Sequence, residues 1–283
     1  MKTLLKTMAI AGGVLCVAKG FDNRIEVTDY AVGSPKIGEG FNGFRILQIS
    51  DYHCDSLPGL VEEIKALRPD IIVSTGDLVH DKGSYKPGVR LMERLVKIAP
   101  VYAVTGNHDI WRADYSDMER ELSEVGVMTL HDDCVFLKRG GDELRLAGID
   151  DPFSTEKSNI EENIENSIAQ IPRYDGYTIL LFHRANQMDI LKHHGFDLIL
   201  SGHMHGGQFR LPWGTGVCEP KSSWGSNSRA FFPKYFAGLY ESHGTKMIVN
   251  RGLGNPMIIP RLFNRPEITV VELGHKEEQG EKS

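Results

Sequence analysis

The sequence predicts an α/β domain, in which strands alternate with helices around a sheet that is at least partly parallel. Short apolar runs of strand length, rich in β-branched residues, recur after residue 44, and stretches with helical spacing of apolar residues separate them. Residues 44–273 contain no repeat, low-complexity segment or long linker. We therefore expect them to form one domain.

The predicted elements follow one another in a regular order. Strands are predicted over residues 46–49, 71–73, 101–104, 178–182 and 198–200, and helices over residues 60–67, 89–98, 118–125 and 160–171. Each of these strands stops at serine, glycine, aspartate, asparagine or histidine. Ligands of such folds collect beyond the carboxyl ends of the strands, so the residues that follow the strands are the candidate functional residues.

Composition restricts the class of protein. A length of 283 residues, a hydrophobic content of 41% and a mean hydropathy of −0.26 are typical of a folded soluble protein and exclude disordered, collagen-like and polytopic membrane classes. The net charge of −6 argues against a broad basic face, so we expect no nucleic-acid partner. The four cysteines form no C-x-x-C pair, so neither a disulfide scaffold nor a thiolate zinc site is predicted.

Residues 1–20 have the pattern of a signal or membrane anchor. They contain three lysines and no acidic residue, and they enclose an apolar run from Met8 to Ala18. This run is shorter than the roughly 20 residues of a spanning helix but fits the apolar part of an export signal. We expect an uncleaved segment that binds the membrane surface and makes the protein membrane-associated. An exported protein, or a cytoplasmic one with an apolar N-terminal helix, is the alternative.

Two further segments flank the predicted domain. Residues 21–43 are predicted to be a lead-in with a short strand over residues 25–28 and a glycine-rich loop. Residues 274–283 are predicted to be a polar C-terminal tail.

The residues that follow the five strands are of the kinds that bind metal ions. They are Asp51-Tyr52-His53, Gly76-Asp77, Gly106-Asn107-His108-Asp109, His183 and Gly202-His203-Met204-His205. A single aspartate or histidine at a strand end is usually a turn former or a satisfied polar residue. Here five of the eleven histidines fall at such ends, which coincidence explains poorly.

The spacing and the donor types predict two metal ions. Asp-x-His and His-x-His place two side chains on the same side of an extended chain. Oxygen and imidazole donors without thiolate suit manganese, iron, zinc or cobalt. Seven candidate ligands are too many for one tetrahedral site, so two divalent or mixed-valence ions that share a carboxylate fit better. The candidates are Asp51, His53, Asp77, Asn107, His183, His203 and His205.

Such a centre would attract a phosphate oxyanion, because two divalent ions outweigh the charge of two aspartates and a bridging hydroxide. Paired metals about 3.5–4 Å apart lower the pKa of a shared water and stabilise the attacking and leaving oxygens of an in-line displacement. His108 is not needed as a ligand, so it is free to protonate the leaving oxygen or to stabilise developing charge. We therefore predict a metal-dependent phosphoesterase with His108 as its catalytic residue.

The order of these motifs resembles that of the calcineurin-like metallophosphoesterase superfamily, D-x-H, G-D, G-N-H-[DE], H and G-H-x-H, over residues 44 to about 273. The resemblance implies a four-layer αββα sandwich of two mixed β-sheets. It also implies that Asp77 bridges the two metals. One metal would be held by Asp51, His53, Asp77 and His205, and the other by Asp77, Asn107, His183 and His203.

Motifs further downstream resemble those of the bacterial membrane-associated phosphodiesterase branch of this superfamily. They are Gly206-Gly207-Gln208, Arg251-Gly252-Leu253-Gly254, Arg261 and Pro266-Glu267-Ile268. The resemblance implies hydrolysis of phosphodiester or diphosphate bonds in small-molecule or lipid-linked substrates, such as cell-envelope compounds of the UDP-diacylglucosamine type. A nucleotidase or protein phosphatase of the same superfamily is one alternative, and a non-catalytic metal-binding scaffold is another.

One motif departs from the family pattern. G-D-x-x-D is usual, whereas this chain has Gly76-Asp77-Leu78-Val79-His80-Asp81, which displaces Asp81 by one residue and leaves its role in orienting His108 open.

Two residues are candidate substrate contacts. Trp111 follows the third motif directly, and Arg251 lies in a glycine-rich turn. Ordinary packing for Trp111 and a surface salt bridge for Arg251 are the alternatives. Eight of the aromatic residues fall within residues 209–240, where they would line a substrate wall, touch lipid or pack in a core.

Overall fold

The computed structural model describes residues 20–152, 159–220, 230–255 and 260–276, whose strands form two six-stranded sheets. From edge to edge, the first sheet contains β1 (Glu26–Ser34), β12 (Glu267–His275), β2 (Phe44–Ile49), β3 (Ile71–Ser74), β4 (Val101–Ala103) and β5 (Val127–Thr129). The second contains β10 (Gly238–Ser242), β11 (Thr245–Val249), β9 (Leu198–Gly202), β8 (Thr178–Arg184), β7 (Asp142–Gly148) and β6 (Asp133–Arg139). Both sheets are mixed, because parallel and antiparallel pairs occur in each.

Helices connect the strands and cover the outer faces of the sheets. They are α1 (Leu60–Ala66), α2 (Lys86–Leu95), α3 (Asn107–Ile110), α4 (Tyr115–Glu124), α5 (Ile160–Gln170) and α6 (Met188–Leu191). Short 3-10 turns occur at Glu39–Phe41, Ala185–Gln187 and His205–Gly207. Pro87 stands in the first turn of α2, where its missing N–H costs no helical hydrogen bond.

Three apolar cores separate four layers. The central core joins the two sheets through side chains such as Ile46 and Val73 of the first sheet and Leu181 and Ile248 of the second. A second core packs α1, α2 and α4 against the outer face of the first sheet, and a third packs α5 and α6 against the second. The predicted αββα sandwich of two mixed sheets is confirmed.

The edges of the first sheet differ from the sequence-based prediction. β1 is nine residues long and pairs in parallel with β12 along its whole length, so the segment predicted as a lead-in is part of the sheet. β12 continues to His275, which places the first two residues of the predicted tail in the same strand. The predicted short strand over residues 25–28 covers only the beginning of β1. The rest was hard to recognise because β1 is a half-exposed edge strand without a clear alternation of apolar and polar residues.

The parallel arrangement determines where the candidate residues meet. β2, β3 and β4 are mutually parallel, and so are β8 and β9, so the loops after these strands gather at one end of each sheet. Within the described ranges, the structure contains no helix that is both long and apolar enough to span a bilayer. The predicted anchor segment lies outside the described residues except for Gly20.

Candidate metal centre

The loops after β2, β3, β4, β8 and β9 bring the seven predicted ligands into one cluster. All seven side chains are buried; they are Asp51, His53, Asp77, Asn107, His183, His203 and His205. So many polar side chains would be costly to bury without a partner that binds them. The donor atoms of six of them, all except Asn107, fall into two groups.

The first group contains Asp51, His53, Asp77 and His205, whose candidate ligand atoms all lie within 4.8 Å of one another. Nε2 of His205 lies 3.3 Å from Oδ1 of Asp51, and Nε2 of His53 lies 3.7 Å from Oδ2 of Asp77. Two carboxylates and two imidazoles are donors that suit a divalent cation such as manganese, iron or zinc.

The second group contains Asp77, His183 and His203. Nε2 of His183 lies 3.3 Å from Oδ2 of Asp77 and 3.1 Å from Nδ1 of His203. Asp77 therefore belongs to both groups through the same oxygen, Oδ2. Its other oxygen, Oδ1, accepts a hydrogen bond of 2.8 Å from the backbone N–H of His108, which fixes the orientation of the carboxylate.

Asn107 stands at the first position of α3, within the same buried cluster. Neither the oxygen nor the nitrogen of its side-chain amide has a hydrogen-bond partner among the described residues. A buried amide without partners is costly. A cation bound by the amide oxygen would account for it, so the donor set of this chain fits a metal centre.

Burial keeps three of the histidines neutral. It lowers the pKa of His53 to about 3 and holds the pKa of His203 and that of His205 well below the usual range. A neutral imidazole has a free lone pair, which metal binding requires. Nε2 of His53 and Nε2 of His205 face each other across 3.4 Å, an arrangement that suits a shared cation.

The pKa values of the two buried aspartates indicate that the centre can accept a cation. Burial raises the pKa of Asp51 to about 6, so this carboxyl group gains from any nearby cation. Burial also disfavours the charged forms of Asp77 and His183, but the attraction between these two outweighs it. The pKa of Asp77 lies well below its usual range, and the pKa of His183 is raised to about 10.

The backbone is strained at the same residues. Asp51, His53, Asp77, His203 and His205 all have positive φ angles, between 46° and 70°. This left-handed region is unusual for residues other than glycine and costs on the order of 1–3 kcal/mol each. Strain concentrated on five ligands indicates that function, not stability, determines their conformation.

Glycines allow the loops that carry the candidate ligands to pass close together. A Cβ atom at Gly106 would lie 2.3 Å from the backbone nitrogen of Asp77, and one at Gly202 would overlap the hydroxyl of Ser50. A larger residue at either position would force the ligand loops apart.

Several residues that hold the ligands in place were not predicted. Nδ1 of His183 donates to the carbonyl of Thr75 at 2.7 Å, and the hydroxyl of Ser50 donates to Oδ2 of Asp51 at 2.6 Å. Such partners fix the orientation of ligands. Arg184 is fully buried, is paired with Asp151 at 2.7 Å and lies beside His203. Their position in the sequence could have identified Ser50 and Arg184, because each is adjacent to a predicted ligand.

His108 lies outside these two buried donor groups and belongs to a third, partly exposed group with His80 and Asp81; its side chain is 23% exposed. Its role as a proton donor stays a prediction. Its ring centre lies 5.0 Å from that of His53, at the edge of the centre. Nδ1 of His108 lies 3.4 Å from Oδ1 of Asp81, so the displaced aspartate still reaches this histidine. His80, the additional residue in the motif, packs against the ring of His53 at 4.6 Å.

The two candidate substrate contacts lie in different environments. Trp111 is partly exposed, and its ring centre lies 5.3 Å from that of His108, so it borders the centre. The guanidinium of Arg251 is instead buried and pairs with Glu26 at 2.9 Å and Glu267 at 3.2 Å. Arg251 therefore forms ion pairs, as in the alternative interpretation of the sequence. Its pair with Glu267 is buried, however, and not on the surface.

Fold and site together define a metal-dependent hydrolase of phosphoesters. The chain belongs to the calcineurin-like phosphoesterase family, whose model matches residues 44–207.

Curated relatives extend the match over most of the chain. The uncharacterized metallophosphoesterase YkuE of Bacillus subtilis is 28% identical over 94% of this chain and 93% of its own length. The phosphodiesterase YaeI of Escherichia coli is 27% identical, covering 81% of this chain and 82% of its own. The UDP-2,3-diacylglucosamine pyrophosphatase LpxG of Chlamydia muridarum is 25% identical, covering 88% and 89%.

Among solved structures, the sulfate thiohydrolase SoxB of Thermus thermophilus has a similar fold. The TM-score is 0.51 at 13% identity, and the match covers 82% of this chain and 57% of that one.

Proposed function

We propose that this protein hydrolyses phosphodiester or diphosphate bonds at a centre of two cations that share Asp77. The observation that carries the proposal is the single oxygen Oδ2 of Asp77, which faces His53 of one donor group and His183 of the other. Bound at these donors, two cations would activate a water and neutralise charge on the phosphoryl group. The oxygen and imidazole donors suit manganese, iron or zinc.

The residues of this chain perform the remaining tasks. Oδ1 of Asp77 accepts a hydrogen bond from the backbone N–H of His108. This bond fixes the position of the His108 backbone relative to the shared carboxylate. His108 protonates the leaving oxygen, for which its partial exposure at the edge of the centre is suitable. Asp81 faces Nδ1 of His108 across 3.4 Å and orients the ring.

The proposed substrate class is a lipid-linked diphosphate or a phosphodiester of the cell envelope, and the proposed location is the membrane surface. Two relatives support the bond type, since one is named as a phosphodiesterase and another as a diacylglucosamine pyrophosphatase. The apolar, lysine-flanked segment of residues 1–20 supports the location. A small-molecule diester without a lipid is the alternative substrate.

Hydrolysis of three substrates tests the proposal. The purified protein, stripped of metal and then reloaded with manganese, zinc or iron, is assayed on bis-p-nitrophenyl phosphate, p-nitrophenyl phosphate and a lipid-linked diphosphate. We expect the diester and the diphosphate to be hydrolysed faster than the monoester. A preference for the monoester would favour a nucleotidase or phosphatase. Two bound metals without hydrolysis of any substrate would favour the non-catalytic scaffold.

A further inference from the structure

Beside the metal centre, the chain forms a small irregular structure that we call the aromatic ribbon, residues 208–219, 230–232 and 262–263. Three backbone pairings hold it together: Phe209 with Leu262, Arg210 with Gly216, and Cys218 with Phe231. Residues 211–215 form the turn at its tip. The metal centre makes no use of these side chains.

The ribbon exposes three large aromatic side chains. Trp213 is 75% exposed, Phe231 65% and Phe232 56%. A single exposed apolar residue needs no explanation, but several on one short structure indicate a binding surface. Of the two charged residues in the ribbon, Glu219 is buried and Arg210 donates from Nε to the carbonyl of Gly214 at 2.8 Å. The described ribbon therefore presents aromatic rings without an exposed carboxylate, although the protein as a whole is acidic.

The N-terminal segment joins the domain at this ribbon. The carbonyl of Gly20 accepts a hydrogen bond of 2.6 Å from the N–H of Phe263. The apolar run from Met8 to Ala18 ends two residues before Gly20. Phe21, the next residue, is 51% exposed. The described part of the chain therefore begins at the ribbon, two residues after the apolar run.

The ribbon is also fixed to a ligand of the metal centre. It begins directly after the turn His205–Gly207, and the backbone N–H of Cys218 donates to the carbonyl of Gly207 at 3.0 Å. The side chain of Asn264, next to the ribbon, donates to the carbonyl of His205 at 2.7 Å and to that of Gln208 at 3.1 Å. An object bound by the ribbon is therefore held in a fixed relation to the metal centre.

We propose that the aromatic ribbon and Phe21 dock on a lipid bilayer, with Trp213, Phe231 and Phe232 in the interfacial region. Tryptophan and phenylalanine are suited to this boundary because their rings are apolar and rigid. The docked domain takes its substrate from the membrane plane, with the ribbon as the point of contact. This inference rests on the membrane tether of the proposed function, and the bilayer is chosen over a protein partner because Gly20, two residues after the apolar run, is hydrogen-bonded to the ribbon.

The first test measures insertion and does not depend on catalysis. The full-length protein is bound to vesicles of equimolar phosphatidylcholine and phosphatidylglycerol whose acyl chains are brominated, and the quenching of tryptophan fluorescence is recorded. We expect the Trp213→Phe variant to lose a large part of the quenched signal. The Trp111→Phe variant is the control and should keep the quenching due to Trp213. Equal quenching in wild type and Trp213→Phe would overturn the proposal.

The second test measures the consequence for activity. In full-length protein, the double variant Trp213→Ser, Phe231→Ser should lower kcat/KM by about 100-fold or more for a lipid-linked diphosphate in vesicles, the loss expected when two large apolar side chains no longer insert. Its kcat/KM for bis-p-nitrophenyl phosphate in solution should not change. Phe136→Ser is the matched control, because Phe136 is an aromatic residue 43% exposed on β6, outside the ribbon.

Other results would contradict docking on a bilayer or the proposed substrate. Equal losses on both substrates, or no loss on the vesicle substrate, would contradict docking through the ribbon. If the wild type dimerises in solution and the double variant is a monomer by analytical ultracentrifugation, the ribbon binds a second copy and the proposal is wrong. If no lipid-linked diphosphate is hydrolysed at all, the proposed substrate fails while the quenching experiment still decides the docking.

Discussion

The ligand loops and the aromatic ribbon adjoin each other but are built in opposite ways. The ligand loops are buried, follow parallel strands and include five residues in a left-handed backbone conformation. The ribbon has only short irregular pairings and carries exposed aromatic rings. Under the proposed docking, the chemistry is placed on buried, strained backbone, and an exposed surface selects where the substrate comes from. Changes in the loops should affect every substrate, and changes in the ribbon only those presented by a membrane.

The largest effect is expected for Asp77→Asn, because Oδ2 of Asp77 faces both donor groups. Loss of a ligand's supporting partner alone costs roughly 10–100-fold, so the loss of a shared ligand should exceed about 100-fold in kcat on soluble and lipid substrates alike. Elemental analysis should find fewer than two metals per chain. Asp117→Asn is the control, because Asp117 is an exposed aspartate of α4 that pairs with Arg120 and belongs to neither donor group. Two retained metals would show that Asp77 is not shared.

His108→Ala should reduce kcat by roughly 10²–10⁴ because it removes the proton donor, with both metals still bound. Metal content and turnover are measured on the same sample. His194→Ala removes a histidine that is bonded to Glu165 elsewhere and should change neither. Unchanged turnover in His108→Ala would remove the role assigned to this residue.

Asp81→Asn should have a smaller effect, a reduction of kcat of roughly tenfold, because it acts through the orientation of His108. KM and metal content should not change, since Asp81 belongs to neither of the two buried donor groups. Steady-state kinetics and elemental analysis check this. In a His108→Ala background the Asp81→Asn substitution should cost nothing further; an additional loss would show a role independent of His108.

The smallest effect on activity is expected for Arg251→Gln. Removing the guanidinium leaves the buried Glu267 uncompensated, so we expect a loss of about 3 kcal/mol in the free energy of unfolding, measured by urea denaturation. KM for both substrates should stay the same. A raised KM with unchanged stability would restore Arg251 as a substrate contact.

The sequence identified the buried side chains that form the two donor groups, but not the residues around them, for identifiable reasons. Asp51 and His203 could be found because each follows a strongly apolar, β-branched strand, which is a local pattern. The ion pair of Arg251 with Glu26 joins residues at opposite ends of the chain and left no local signal. The same holds for the ribbon, because the pairings of Phe209 with Leu262 and of Cys218 with Phe231 link segments that show no strand periodicity.

Anomalous diffraction tests directly whether two metal ions share Asp77. Crystals of the protein loaded with manganese would be examined by anomalous diffraction at the metal absorption edge. We expect two metal peaks about 3.5–4 Å apart, with the carboxylate of Asp77 bound to both metals. A single peak, or two peaks of which only one contacts Asp77, would contradict it.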